Sequence, residues 1–429
     1  MDRRAPEPSA PRLSRLAEGI VGSRILRIAA QIRGLVESGR SVADFTVGDF
    51  RPAQFSIPSG LAARLRAALE RGETNYPPPN GVPALREAVR TFYAERLGLR
   101  YGVDSILIAC GARPGLEGSY RTLTDPGDRV VFPVPSWNND DYCYIVGATP
   151  VRVPVSASTG FLPTRAMLEP VIRGARMLVL NSPVNPTGTA FEARSLEGIC
   201  DLVLEENARR GATERPLYLL YDQVYWMLTL GDLRHVHPVG LRPEMAPYTV
   251  YVDAISKSFA ATGLRVGWIV GPPDVIRPMA DLVTHSGAWA PRAEQIATAE
   301  FLGRSAEIDD FLRDMRGGIQ ARLDAVHRQC AAMTAAGLPV ETIPPRATIY
   351  LSARFALSGM RTADGRLLET TDDIRSYLLE AAGFGAVPLE AFGLSGELGW
   401  FRLSVGAVSV SQIDEVMPRV RKAIEALRR

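Results

Sequence analysis

The chain has 429 residues, with 49 lysines and arginines against 47 aspartates and glutamates, for a formal net charge of +2. Charge this balanced gives no electrostatic case for nucleic acid or an anionic membrane, and the length calls for a large domain plus a smaller one. Four well-separated cysteines, Cys110, Cys143, Cys200 and Cys330, form neither a CxxC pair nor a disulfide framework, which fits a reducing cytoplasm.

In chain order, residues 1–8 are charged and proline-rich and are expected to be mobile. Residues 13–36 have a helical pattern but carry Arg24, Arg27 and Arg33, so they are neither a signal core nor a membrane span. Ile106 to Ala109 reads as a strand, followed by a turn at Cys110-Gly111 and a helix start, whose free N–H groups suit a phosphate. A short strand at 130–132 leads into a loop rich in proline and asparagine that contains Trp137. The apolar run at 177–180 reads as a buried strand, stopped sharply by Asn185-Pro186 and Thr187-Gly188, which leaves Asn185 in a fixed loop beyond its end. The run at 216–221 reads as another strand ending on Asp222, with a helix N-cap as the other reading of that carboxylate. His235-Val236-His237 has no acid or thiol cluster nearby and reads as a loop, not a metal site.

The run Thr249-Val250-Tyr251-Val252 leads to Asp253-Ala254-Ile255-Ser256-Lys257-Ser258, with Arg265 between Gly263 and Gly267 further on. A lysine there can form an imine, and the hydroxyls, N–H groups and guanidinium around it suit a phosphate dianion. That combination points to pyridoxal phosphate chemistry; a strand-end lysine on a solvated turn is the other reading. Arg292 follows Pro291 at a helix start and reads as structural. On the strand at 400–405, Arg402 shares a face with Trp400 and Ser404, which suits bidentate capture of a carboxylate unless the side chain reaches to solvent. Three successive strands ending in Asn, Asp and Lys put amide, carboxylate and amine along the carboxyl edge of a sheet, where open α/β sheets bind ligands.

From about Val42 to the C-terminus, these segments resemble the fold-type I pyridoxal phosphate (PLP)-dependent aminotransferases of the class I/II branch. The resemblance implies an α/β fold with a mainly parallel central sheet, helices on both faces and a smaller α/β C-terminal domain. The expected division is an N-terminal arm at 1–60, a PLP-binding domain at 61–302 and a small domain at 303–429. Lys257 matches the Schiff-base lysine, Asp222 the carboxylate that keeps the pyridine nitrogen protonated, and Tyr225 and Asn185 the contacts to the ring's phenolic oxygen. Ser256, Arg265 and the turn Gly111-Ala112-Arg113 match the phosphate-binding positions, and Trp137 the aromatic stacked on the ring. Arg402 matches the arginine that holds the substrate α-carboxylate, and Gly48 a close approach of backbone to substrate. Tyr76 falls in the segment whose tyrosine reaches the neighbouring subunit's phosphate, which implies a homodimer with shared sites.

The implied activity is transfer of an amino group between an amino acid and a 2-oxo acid through the Lys257 Schiff base. Elimination, cyclisation or oxidation of an amino acid starts from the same residues, and a ligand-sensing domain without catalysis is a third reading. The pattern has departures. Ala254 stands where many relatives carry a serine, Arg113 replaces a lysine or threonine, and Arg346-Ala347 occupies a point where glycine is usual. Asp140 lies where the aspartate-specific branch has a histidine behind the ring-binding carboxylate. No second arginine for a distal carboxylate is identified, while Asp49, Asp140 and Asp141 are candidates for receiving a cationic side chain.

Overall fold

The apolar runs become neighbouring strands. In the computed structural model, which describes residues 12–22 and 24–429, seven strands form one sheet. They are β1 (Ile106–Ala109), β2 (Arg129–Val134), β3 (Thr149–Pro154), β4 (Ala175–Asn181), β5 (Tyr218–Asp222), β6 (Thr249–Ala254) and β7 (Gly267–Val270), in the order β1-β7-β6-β5-β4-β2-β3. The pairs among β2 to β6 and β3 are parallel, and β7 runs antiparallel between β1 and β6. Successive residues alternate between two apolar layers. Leu178, Leu219 and Tyr251 pack with Val89 of helix Pro83–Leu97 and Ile199 of helix Ala193–Arg210, while Val179, Leu220 and Val252 pack with Leu116 of helix Ala112–Leu123 and Met279 of helix Pro273–His285. A strand covered on both faces needs apolar residues at every position, which is why these runs lack polar alternation.

The register brings the strand ends level. Asn181 pairs with Asp222, Asp222 pairs with Val252, and the one-turn helix Ile255–Ser258 begins where β6 stops. A second, antiparallel sheet holds β8 (Val340–Thr342), β9 (Tyr350–Phe355), β10 (Val387–Pro388) and β11 (Trp400–Ser404), in the order β10-β11-β9-β8. Ser352 lies opposite Arg402, and Tyr350 opposite Ser404. Helices Ser305–Ala335, Thr371–Ala382 and Val410–Glu425 pack around this sheet.

The segment before Pro58 joins that second layer. Ala43–Asp44 pairs in parallel with Phe384–Gly385, and Ile28 and Ile32 bury against Leu379 and Val387. Residues 13–36 are not one helix: Arg15–Gly19 and Arg24–Glu37 are separate. Gly19 and Gly22, poor helix formers, flank the break, and a Cβ at Gly19 would collide with the Tyr144 phenol, which donates to Arg15 O at 2.9 Å. The charged tail at 1–8 lies outside the described residues. Among the described residues no helix is long and apolar enough to cross a membrane.

Candidate active site

Lys257 does not sit on a solvated turn. Its Nζ donates to Gly48 O at 2.6 Å, and burial lowers the ammonium to about 8, with Asp49 opposing the shift and Arg402, Arg113 and Arg265 adding to it. Asp222, at the end of β5, accepts from Val224 N at 3.1 Å through one oxygen. That is a local turn contact and not a helix cap, and the other oxygen takes no hydrogen bond from the described residues. Burial raises this carboxyl to about 6. Asn185 is fixed because its N–H donates to Asn181 Oδ1 at 2.7 Å, while Asn181 Nδ2 donates to Asp222 O at 2.9 Å.

The glycine turn and Arg265 form a second group. Gly111 has φ +82° ahead of helix Ala112–Leu123, and Arg265 adopts φ +56°. The Arg265 guanidinium donates to Cys110 O at 2.9 Å and Thr262 O at 2.8 Å, lying where a Cβ on Gly111 would be. Gly267 likewise leaves no room for a Cβ against the Gly111 backbone. Ser256 is buried, and Arg113 stacks 4.5 Å above the Trp137 ring.

Arg402 is 2% exposed, so it does not reach to solvent. It donates to Thr46 O at 2.7 Å and to Asn185 Oδ1 at 3.3 Å, and its guanidinium lies 4.7 Å from the Tyr350 ring and 4.9 Å from that of Phe392. Its Nε is buried without a partner among the described residues. The Tyr225 and Tyr350 hydroxyls are 2.7 Å apart, and a Cβ on Gly48 would lie 2.9 Å from the Tyr350 hydroxyl. The sequence reading missed Tyr350, Thr46 and Phe392. Period-two alternation along β9 was the available signal for Tyr350, since it shares a face with Ser352 opposite Arg402.

Other readings fall outside this cluster. Tyr76 is 80% exposed, its ring 5.2 Å from that of Trp289, beside an open groove of about 630 Å³ lined in part by Leu69, Glu73 and Arg292. Arg292 pairs with Glu73 at 2.6 Å at the start of its helix. Asp140 pairs with Arg152 at 2.6 Å, which turns its charge to a neighbouring strand. His235 and His237 lie in a loop as read, His237 buried and His235 half-buried: His235 shares a hydrogen bond with Gln223 Oε1 at 3.2 Å, and desolvation, then His237, lowers it to about 3. Among the described residues no group of three or more His, Cys, Asp or Glu is placed to hold a metal.

This geometry has a family. The aminotransferase class I and II profile matches residues 40–420. The aspartate aminotransferase of Rhizobium meliloti (strain 1021) is 31% identical over 407 residues, covering 94% of each chain. The crystal structure of the aspartate aminotransferase from Rhizobium meliloti superposes with a TM-score of 0.88 at 30% identity, over 97% of this chain and 99% of that one. The aromatic aminotransferase from Pyrococcus horikoshii OT3 superposes with a TM-score of 0.79 at 25% identity, over 92% of this chain and 98% of that one. Likeness of this extent in both sequence and fold means that the chain belongs to the class I and II aminotransferases, fold-type I enzymes that use PLP to move an amino group between an amino acid and a 2-oxo acid.

Proposed function

We propose that Lys257 carries the PLP and that the amino donor is an acidic amino acid. Three features of the chain support this placement of the cofactor: a buried lysine with a lowered pKa, a glycine turn and arginine packed with no space for side chains between them, and a carboxylate with one oxygen left over. When bound, PLP supplies an electrophilic carbonyl carbon and a ring that withdraws electrons from the substrate's Cα. Asp222 would hold the proton on the ring nitrogen, and Tyr225 and Asn185 would face the phenolic oxygen. Ser256, Arg265 and the N–H groups at Gly111, Ala112 and Arg113 would take the phosphate, and Trp137 would cover the ring. Arg402, held by Thr46 and backed by Tyr350 and Phe392, would bind the α-carboxylate, with Gly48 allowing the backbone close. Lys257 Nζ would then take the Cα proton and return it on the cofactor side.

The observation that carries the substrate class is a surplus of positive charge. Arg402, Arg113 and Arg265 all act on Lys257, yet Arg113 has no carboxylate partner among the described residues. It is the second arginine the sequence reading lacked, and its guanidinium would meet the distal carboxylate while its backbone serves the phosphate turn. A pocket for a cationic side chain has less support, because Asp140 is engaged by Arg152, and Asp49 Oδ1 accepts from Phe50 N at 2.7 Å. The name of the Rhizobium meliloti relative agrees with an acidic donor. We further infer a cytoplasmic homodimer in which Tyr76 completes the partner's site, and we retain the division into 1–60, 61–302 and 303–429.

The test is to add single amino acids, without an acceptor, to the PLP-loaded protein and follow its visible absorbance. Aspartate or glutamate should convert the bound cofactor, and Arg113→Met should raise the concentration needed about tenfold with little change in the maximal rate. Conversion by lysine but by neither acidic amino acid would overturn the proposal.

A further inference from the structure

The Tyr225 hydroxyl is hydrogen-bonded to another phenol. Tyr225 and Tyr350 are both buried, 2% and 1% exposed, and their hydroxyls are 2.7 Å apart. Two phenols at this distance place one proton between them, so one donates and the other accepts. The accepting phenol keeps its own proton for a third group. If Tyr225 were the donor, its oxygen would turn only lone pairs toward the phenolic oxygen of a bound cofactor, and two electron-rich atoms would face each other.

The surroundings favour one direction. Burial raises both phenols and the Arg402 guanidinium opposes it at each, but at Tyr350 Arg402 ranks next after burial, whereas at Tyr225 it ranks behind the Tyr350 group, which adds to the rise. The Arg402 guanidinium lies 4.7 Å from the Tyr350 ring, and a cation held that close makes the Tyr350 O–H the better donor of the two. Gly48 permits the arrangement, because any side chain there would crowd the Tyr350 hydroxyl. Tyr350 is also held by its backbone, since Tyr350 N donates to Thr348 Oγ1 at 2.9 Å and Thr348 adopts φ +64°.

We propose that Tyr350 is a positioning residue: it donates its proton to Tyr225 and so commits the Tyr225 hydroxyl to donate to the phenolic oxygen of bound PLP. The inference rests on the assignment of Tyr225 to that oxygen. Because hydrogen bonds in series strengthen one another, Tyr225 becomes a better donor than a lone tyrosine. Through the same stacking contact Tyr350 links the carboxylate-binding arginine to the ring-binding phenol.

The experiment is a spectrophotometric pH titration of the bound cofactor in purified, loaded protein. Donation to the phenolic oxygen favours the form with more negative charge there, so losing it moves the transition to higher pH. Tyr225→Phe should raise the midpoint by about 1–2 pH units and Tyr350→Phe by about 0.5–1, in line with the loss and the weakening of one hydrogen bond. The double variant should match Tyr225→Phe alone, because Tyr350 acts only through Tyr225. A fluorinated tyrosine installed at position 350 keeps the shape but is a stronger donor, so it should lower the midpoint, and it serves if Tyr350→Phe loads poorly. An unmoved midpoint in Tyr225→Phe overturns both the assignment and the inference. A shift in Tyr225→Phe with none in Tyr350→Phe, or fully additive shifts in the double variant, overturns the inference alone.

Discussion

Lys257 is held in surroundings that disfavour its charge. In the cofactor-free protein burial brings its ammonium from 10.5 to about 8, and three arginines add to the effect against one opposing aspartate. The folded pKa lies below the unfolded one, so the cost of the buried charge is present in full below pH 8. It shrinks as pH rises from 8 to 10.5 and is absent above that. Lys257→Met should therefore stabilise the cofactor-free protein at pH 7 by on the order of 2 kcal/mol, discounted for the partial opening of the site to solvent. The advantage should fade by pH 10.5. Denaturant midpoints at the two pH values check this, and an equal gap at both would mean that packing, not charge, separates the two proteins.

Among the elements, the ends of β5, β6 and β7 are tied by one buried carboxylate. Asp253 Oδ2 accepts from Tyr93 OH at 3.0 Å and Trp226 Nε1 at 2.8 Å, while Oδ1 accepts from Ala254 N at 2.7 Å. Tyr93 OH accepts in turn from Trp268 Nε1 and Gln223 Nε2, both at 3.0 Å. Burial raises Asp253 to about 8, so at pH 9 it is an acceptor facing three donors. In Asp253→Asn one of those donors must meet an NH2 whichever way the amide turns. A loss of about 1–3 kcal/mol is expected at pH 9, read as a lowered thermal midpoint; a midpoint equal to the parent's would show that the network does not brace the strand ends. The same elements mark how far the sequence could be read. Asp222 and Lys257 were legible because each directly follows an unbroken apolar run, and Asn185 because Pro186 and Gly188 stop the chain beside it. Thr46 and Phe392 were not, because they reach Arg402 from separate elements and no local spacing marks that meeting; for Tyr350 the alternation along β9 marks the face but not the strand that lies opposite. The interruption after Gly19 was hidden for a similar reason: the Tyr144 phenol that packs there lies far along the chain.

For the whole molecule, the proposal requires two chains. Tyr76 is exposed beside the groove near Trp289 and makes no hydrogen bond to Lys257, Asp222 or Arg402. A dimer joining a Tyr76→Ala chain to a Lys257→Ala chain would hold one doubly damaged site and one intact site. With random mixing about half the dimers are mixed, so activity should recover to roughly a quarter of the parent's from two inactive parents; confirmed heterodimers that stay inactive would refute the shared site. The central claim, that PLP is bound covalently at Lys257, has an unusually clean test because the chain contains only one other lysine, Lys422, exposed in the last turn of helix Val410–Glu425. Borohydride reduction of the loaded protein, followed by intact-mass measurement and peptide mapping, should find one cofactor per chain fixed on Lys257. An adduct on Lys422, or none on a protein that is yellow and active, would contradict it.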